Sequence, residues 1–152
     1  MTPSDLADPT TATLAVVTAL DRAGLRGAVY GGLTITRLAL FGSDATEGFN
    51  VVDLVEPRSP RYANLLLERA LRGELREQPV TIVSPEDFVL LKVLSTRDRD
   101  VEDAASVWRT LGPELDRELV EREAAELGRE LTDHPVADRL MAVLAHATQV
   151  LP

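Results

Sequence analysis

Ser84-Pro85-Glu86-Asp87-Phe88-Val89-Leu90-Leu91-Lys92-Val93-Leu94-Ser95-Thr96-Arg97-Asp98-Arg99-Asp100-Val101-Glu102-Asp103 is the stretch around which the rest of the chain can be ordered. Ser84 is a helix cap, Pro85 suits the first helical position, and Asp87 stands where a capping box places its acid. Phe88, Leu91 and Leu94 fall on adjoining turns of one side of a helix, while Lys92 projects from another face. A charged break at Arg97-Asp98-Arg99 ends that helix, and Asp100 and Asp103 lie a turn apart on the next one. The spacing predicts that Lys92, Arg97, Asp100 and Asp103, with Arg99 beside them, form an ion-pair cluster where the two helices meet.

Working outward toward the N-terminus, residues 79–83 read as a strand. Residues 61–72 read as an amphipathic helix with Leu65, Leu66 and Ala70 inward and Gly73 as its stop. Val51-Val52-Asp53-Leu54-Val55 reads as a strand ended by Pro57 and Pro60. Alternation puts Val51, Asp53 and Val55 on one face. An acid between valines is costly if buried alone, so Asp53 either reaches the sheet edge or meets a cation. Gly42-Ser43-Asp44 breaks the chain, and residues 33–41 suit a strand and a helix equally. Ala28-Val29-Tyr30 is a short buried strand that runs into Gly31-Gly32. Paired glycines let a backbone approach a ligand closely and turn its amides toward a phosphate, although a tight strand exit is their commoner meaning. Before them a first helix is capped by Thr10 or Thr11, carries Leu14, Val17 and Leu20 on its apolar side, and stops at Gly24. Residues 1–9 read as a loose lead-in.

On the C-terminal side everything reads as helix: 99–111 with Gly112 as stop, 113–127 with Gly128 as stop, and 135–150 capped by Asp133. Val107, Trp108 and Leu111 face a core. The order is α+β: a small mixed β-sheet with flanking helices over residues 1–83, then a C-terminal helical bundle over 84–152. The two are expected to form one compact unit with a soft boundary at Ser84.

With 152 residues the chain can bury a core of its own. It has no cysteine, which excludes disulfides and thiolate chemistry, and its two histidines are too few for an all-histidine metal site. No apolar run is long enough to span a bilayer and the N-terminus lacks a signal-peptide pattern, so a cytoplasmic protein without a membrane partner is expected. The net charge of −9 opposes an extended nucleic-acid footprint, which depends on neutralising phosphates, although one RNA 3′ end needs few basic groups. Acids crowd residues 114–123, where arginine-laced, solvated helix faces are the expected meaning.

Two segments carry a resemblance. Ala28-Val29-Tyr30-Gly31-Gly32-Leu33 and Val83-Ser84-Pro85-Glu86-Asp87, followed by Lys92, Arg97 and Arg99-Asp100-Val101-Glu102-Asp103, are similar to the pattern of nucleotidyltransferase-fold proteins of the AbiEii type. These are the toxins of abortive-infection and toxin–antitoxin systems, together with their relatives. The likeness covers roughly residues 12 to 112, and its downstream part is the more specific. It implies a nucleotidyltransferase-like sheet core and a nucleoside triphosphate ligand. It also implies magnesium held by two or three carboxylates, and an RNA end or a protein, such as an antitoxin, as partner. Carried over residue by residue, Asp53 becomes a metal ligand and catalytic acid. Lys92 balances phosphate charge, and Gly31, Gly32, Gly42, Ser43, Lys92 and Arg97 line the nucleotide site.

The chain departs from the family where the chemistry resides. The family carries an Asp-x-Asp pair on a hairpin. One register puts Gly48 and Asn50 at the pair. A second makes Val52-Asp53-Leu54 the strand of the third acid and leaves the hairpin largely deleted. A third takes Gly42-Ser43 as the motif's glycine-serine, with Val51 and Asp53 as the pair. No register recovers both acids, and glycine and valine cannot bind magnesium. Asp44 and Glu56 can substitute only if the fold brings them to Asp53. The expected function is a degenerate nucleotidyltransferase-like binder of nucleotide, RNA end or protein, impaired in transfer. The alternatives are an active transferase using Asp53 and Lys92, and a structural or dimerising domain. For Lys92, Arg97, Asp100 and Asp103 the competing reading is an ion-pair network that pins two helices.

Overall fold

The computed structural model describes residues 8–30 and 55–149. Among them are six α-helices and one β-hairpin, a mostly helical α+β arrangement. The helices are α1 (Pro9–Arg22), α2 (Pro60–Arg69), α3 (Pro85–Leu94), α4 (Asp98–Leu111), α5 (Arg117–Glu130) and α6 (Val136–Thr148), and the strands are β1 (Leu71–Leu75) and β2 (Gln78–Ile82). No helix among the described residues is long and apolar enough to cross a membrane. The chain divides into two units, the second made of Pro57–Leu66 and Ser84–Pro152 and the first of the remainder.

In the first unit α1 is capped by Asp8, not by Thr10 or Thr11. Asp8 Oδ2 accepts from the Thr11 amide at 2.8 Å and from its hydroxyl at 2.7 Å. Pro9 fills the first helical position, where its missing N–H costs nothing. The helix stops at Gly24 as expected. Gly24 takes φ +67°, and the Leu25 amide donates to the Leu20 carbonyl at 2.9 Å, which closes the terminal loop. Of the expected strand 28–30, only Val29 pairs, in a single parallel bridge to Ile82.

The hairpin corrects the reading of residues 61–72. The helix ends at Arg69, and Leu71 begins a strand that pairs antiparallel with β2, Leu71 opposite Ile82 and Leu75 opposite Gln78. The two-residue turn between them puts Arg76 at φ +49° and Glu77 at φ +63°. Asn and Gly usually occupy such a turn, so its sequence carries no turn signal. Arg76 is held across the unit by Asp8, Nη1 to Oδ2 at 2.6 Å.

The second unit is organised around α3. Every residue from Asp87 to Val93 is buried, so this helix has no solvent face. Around it pack α4, α5 and α6, each amphipathic. Ala104 and Ala105 let α4 approach closely, Val120 and Leu127 come from α5, and Val136 and Val143 from α6, all essentially sealed from water. Trp108 is in this core, while Val107 and Leu111 are only half-buried at its margin.

Two helix boundaries also differ from expectation. Gly112, at φ +50°, ends α4 as predicted, but residues Gly112–Glu114 then form a single 3-10 turn, and α5 starts only after Asp116 caps the Leu119 amide at 2.9 Å. Gly128 does not stop α5, which runs on to Glu130. A Cβ at Gly128 would lie 3.9 Å from Val136 Cβ, so the position faces the start of α6 as packing surface. Asp133 does not cap α6, whose first turn has no side-chain cap, and instead pairs with Arg58 at 2.9 Å.

Candidate functional site

The site follows from the burial of α3. A helix without a solvent face must bury whatever charge it carries, and an unpaired buried ammonium is prohibitively costly. Lys92 is 1% exposed. Its Nζ donates to Asp100 Oδ1 at 2.6 Å and to Asp103 Oδ2 at 2.9 Å, and it lies 5.5 Å from the centre of the Phe88 ring. Asp100 and Asp103 occupy the first turns of α4 at helical spacing, so both point back at α3.

The linker between the helices completes the cluster. Ser95 Oγ accepts from the Arg97 amide at 3.2 Å and donates to Asp100 Oδ2 in a short hydrogen bond. Arg97 Nε donates to the same oxygen at 2.8 Å. Burial alone would raise the Asp100 carboxyl. Hydrogen bonds from Lys92, Ser95 and Arg97 together outweigh it and hold the group below the ordinary aspartate range. Asp100 is fully buried and Asp103 partly so. Arg97 and Arg99 reach solvent.

The Val93 carbonyl, in the last turn of α3, is capped from α6 and the residues before it. Val93 C=O accepts from Arg139 Nε at 3.1 Å and from His134 Nε2 at 2.9 Å. A carbonyl only accepts, so His134 carries a proton on Nε2. Arg139 also donates to the Arg97 carbonyl at 2.9 Å. Side-chain N–H donors at a helix C-terminus satisfy carbonyls that have no partner within the helix. At its other end α3 is capped as expected: Ser84 Oγ accepts from the Asp87 amide at 3.1 Å and donates to Asp87 Oδ2 at 2.9 Å.

The structure thus brings together Lys92, Arg97, Asp100 and Asp103 and places Arg99 exposed on the first turn of α4. Gly31, Gly32, Gly42, Ser43, Asp44 and Asp53 lie outside the described residues, as do residues 33–41. Val55, the last residue of the expected strand 51–55, is exposed and outside any strand, and Glu56 is exposed. Chemically, the cluster neutralises its own charge and fixes the α3–α4 angle. A phosphate reaching Lys92 Nζ has to displace a carboxylate. Nor does the donor set suit magnesium, because Asp100 and Asp103 are already occupied by an ammonium. Among the described residues no group of three or more His, Cys, Asp or Glu side chains could hold a metal ion.

A second charged cluster was not predicted. Ser59 caps α2 by accepting from the Tyr62 amide at 3.1 Å, and its hydroxyl donates to Glu130. Arg61 bridges two acids of α5, with Nη2 2.6 Å from Glu123 Oε1 and Nε bonded to Glu130. Tyr62, wholly buried, reaches the Asp87 carbonyl with its hydroxyl at 3.4 Å. Two signals were available: Ser59-Pro60 repeats the cap grammar of Ser84-Pro85, and Glu123 and Glu130 are two turns apart on one face.

The chain matches no family model, no curated protein and no solved structure.

Proposed function

We propose that the chain is a divergent nucleotidyltransferase-like protein of the AbiEii type that binds a nucleotide, an RNA end or a protein partner and lacks effective transfer activity. One observation carries the reading. The residues on which the more specific part of the resemblance rests, Lys92, Arg97, Asp100 and Asp103, form a single cluster with contacts of 2.6 to 2.9 Å. Such a motif is a unit of structure, not an accident of composition. The sealed position of Lys92 supports a scaffold role for it over a phosphate-balancing one. The expected loss of transfer rests on sequence: no register supplies the paired carboxylates that magnesium-assisted in-line attack requires. Binding is assigned, on the resemblance, to Gly31, Gly32, Gly42, Ser43 and Asp53.

Thermal unfolding with each of four nucleoside triphosphates, with and without magnesium, tests the binding half. A ligand at about ten times its Kd stabilises by about 1.4 kcal/mol, or about 3 to 6 °C for a chain of this size. The expected result is such a shift for at least one nucleotide. No shift with any of them overturns nucleotide binding and leaves an RNA end, a protein partner or the structural-domain alternative.

A further inference from the structure

The segment Pro57–Leu66 belongs by its contacts to the second unit, yet the chain passes into the first unit at both of its ends. Its attachments are of two kinds, and they are segregated along the chain. Residues 58–61 are held through polar groups, with Ser59 itself buried. Arg58 Nη2 bonds both carboxylate oxygens of Asp133 at 2.9 Å, Ser59 donates to Glu130, and Arg61 spans Glu130 and Glu123. Tyr62, the next residue, and Leu66, a turn beyond it, are held by burial, at 0% and 6% exposure.

We propose that this segment is a strap with two separable fastenings, an ionic latch at Arg58, Ser59 and Arg61 and an apolar anchor at Tyr62 and Leu66, and that the latch opens as a local step while the anchor stays closed. The two fastenings respond to different conditions. Arg58 and Asp133 are 60% and 67% exposed and Arg61 and Glu130 40% and 30%, so salt screens these pairs, less so the one from Arg61 to the nearly buried Glu123, whereas burial of Tyr62 and Leu66 is insensitive to screening. The latch is firm at low ionic strength. The hydrogen bonds Arg61 donates to Glu123 and then to Glu130 raise it above its ordinary range, and those Glu130 accepts from Ser59 and then Arg61 lower Glu130. Opening frees residues 57–61, a stretch of at most roughly 17 Å when fully extended. Ionic strength, or a charged ligand competing for Arg58 and Arg61, thereby opens or closes residues 57–61.

Amide hydrogen exchange of the intact protein tests this. The Tyr62 and Ala63 amides bond to Ser59, so they report the latch, while the Leu66 amide reports the anchor. Raising sodium chloride from 0.05 to 1 M, or substituting Arg61→Met at low salt, should speed exchange at Tyr62 and Ala63 on the order of tenfold and leave Leu66 unchanged. If Arg61→Met does not fold, Glu130→Gln and the salt series on the unaltered chain carry the same expectation. Exchange at Tyr62 and Ala63 that moves in step with Leu66, or that ignores both salt and substitution, overturns the proposal.

Discussion

Replacing Lys92 by methionine keeps the aliphatic stem and removes the ammonium. Asp100 and Asp103 are then left facing each other at the α3–α4 junction. The Asp100 side chain is wholly buried, and its Oδ1 loses the partner at 2.6 Å, while Ser95 and Arg97 still serve Oδ2. Breaking a buried pair from one side costs about 3–5 kcal/mol. The surviving bonds to Oδ2 place this case near the lower end, at about 3 kcal/mol. Asp103 is 24% exposed and its loss leaves Lys92 paired with Asp100, so Asp103→Asn should cost only about 1 kcal/mol. Adding Asp100→Asn to Lys92→Met removes the stranded charge and should recover part of the loss.

Urea unfolding followed by far-UV circular dichroism at pH 7 reads these differences from the midpoint at constant slope. The acid limb gives a second reading. Because the folded-state Asp100 carboxyl lies below its ordinary value, its contribution is present above the unfolded pKa and is lost as pH falls through the folded one. Lys92→Met should therefore flatten the decline of stability below the ordinary aspartate range. A cost under about 1 kcal/mol with unchanged slope would refute the buried-pair reasoning.

Other substitutions separate packing from backbone effects. Tyr62→Ala should cost about 3–5 kcal/mol in the same assay, while Tyr62→Phe should cost less than about 1 kcal/mol because its hydroxyl bond is long at 3.4 Å. Gly112→Ala should destabilise by about 1–2 kcal/mol, since Gly112 sits at φ +50° with open space around it and the penalty is purely conformational. Glu77→Gly should stabilise by about 0.5–1 kcal/mol in thermal unfolding, because glycine accepts φ +63° without strain.

What could be read in the sequence was local. Ser84 and Pro85 start α3, and Gly24 and Gly112 end their helices at positive φ, all for reasons contained within a turn of chain. The Lys92 cluster was legible because its members are 8 and 11 residues apart and helical geometry fixes their faces. What was missed depends on distant contacts. Asp133 looks like a cap but is paired with Arg58, 75 residues away. Gly128 looks like a stop but lies against Val136. The β1–β2 hairpin was hidden by a turn of Arg76 and Glu77, residues whose positive φ no propensity favours and of which Arg76 is paired with Asp8, the cap of α1. Arg61 and Glu123 carry no local signal of their pairing, because two separate helices must be packed before they meet.

The proposed function rests on the charged α3–α4 junction, whose residues carry the resemblance, and on a sequence in which no register supplies the paired acids. The most direct measurement is transfer of label from an α-phosphate-labelled nucleoside triphosphate, with magnesium, to RNA and to protein acceptors by the purified chain. The predicted result is no label above background for the native chain or for Asp53→Ala, even under conditions where nucleotide shifts the unfolding temperature. Turnover by the native chain that Asp53→Ala abolishes would contradict it.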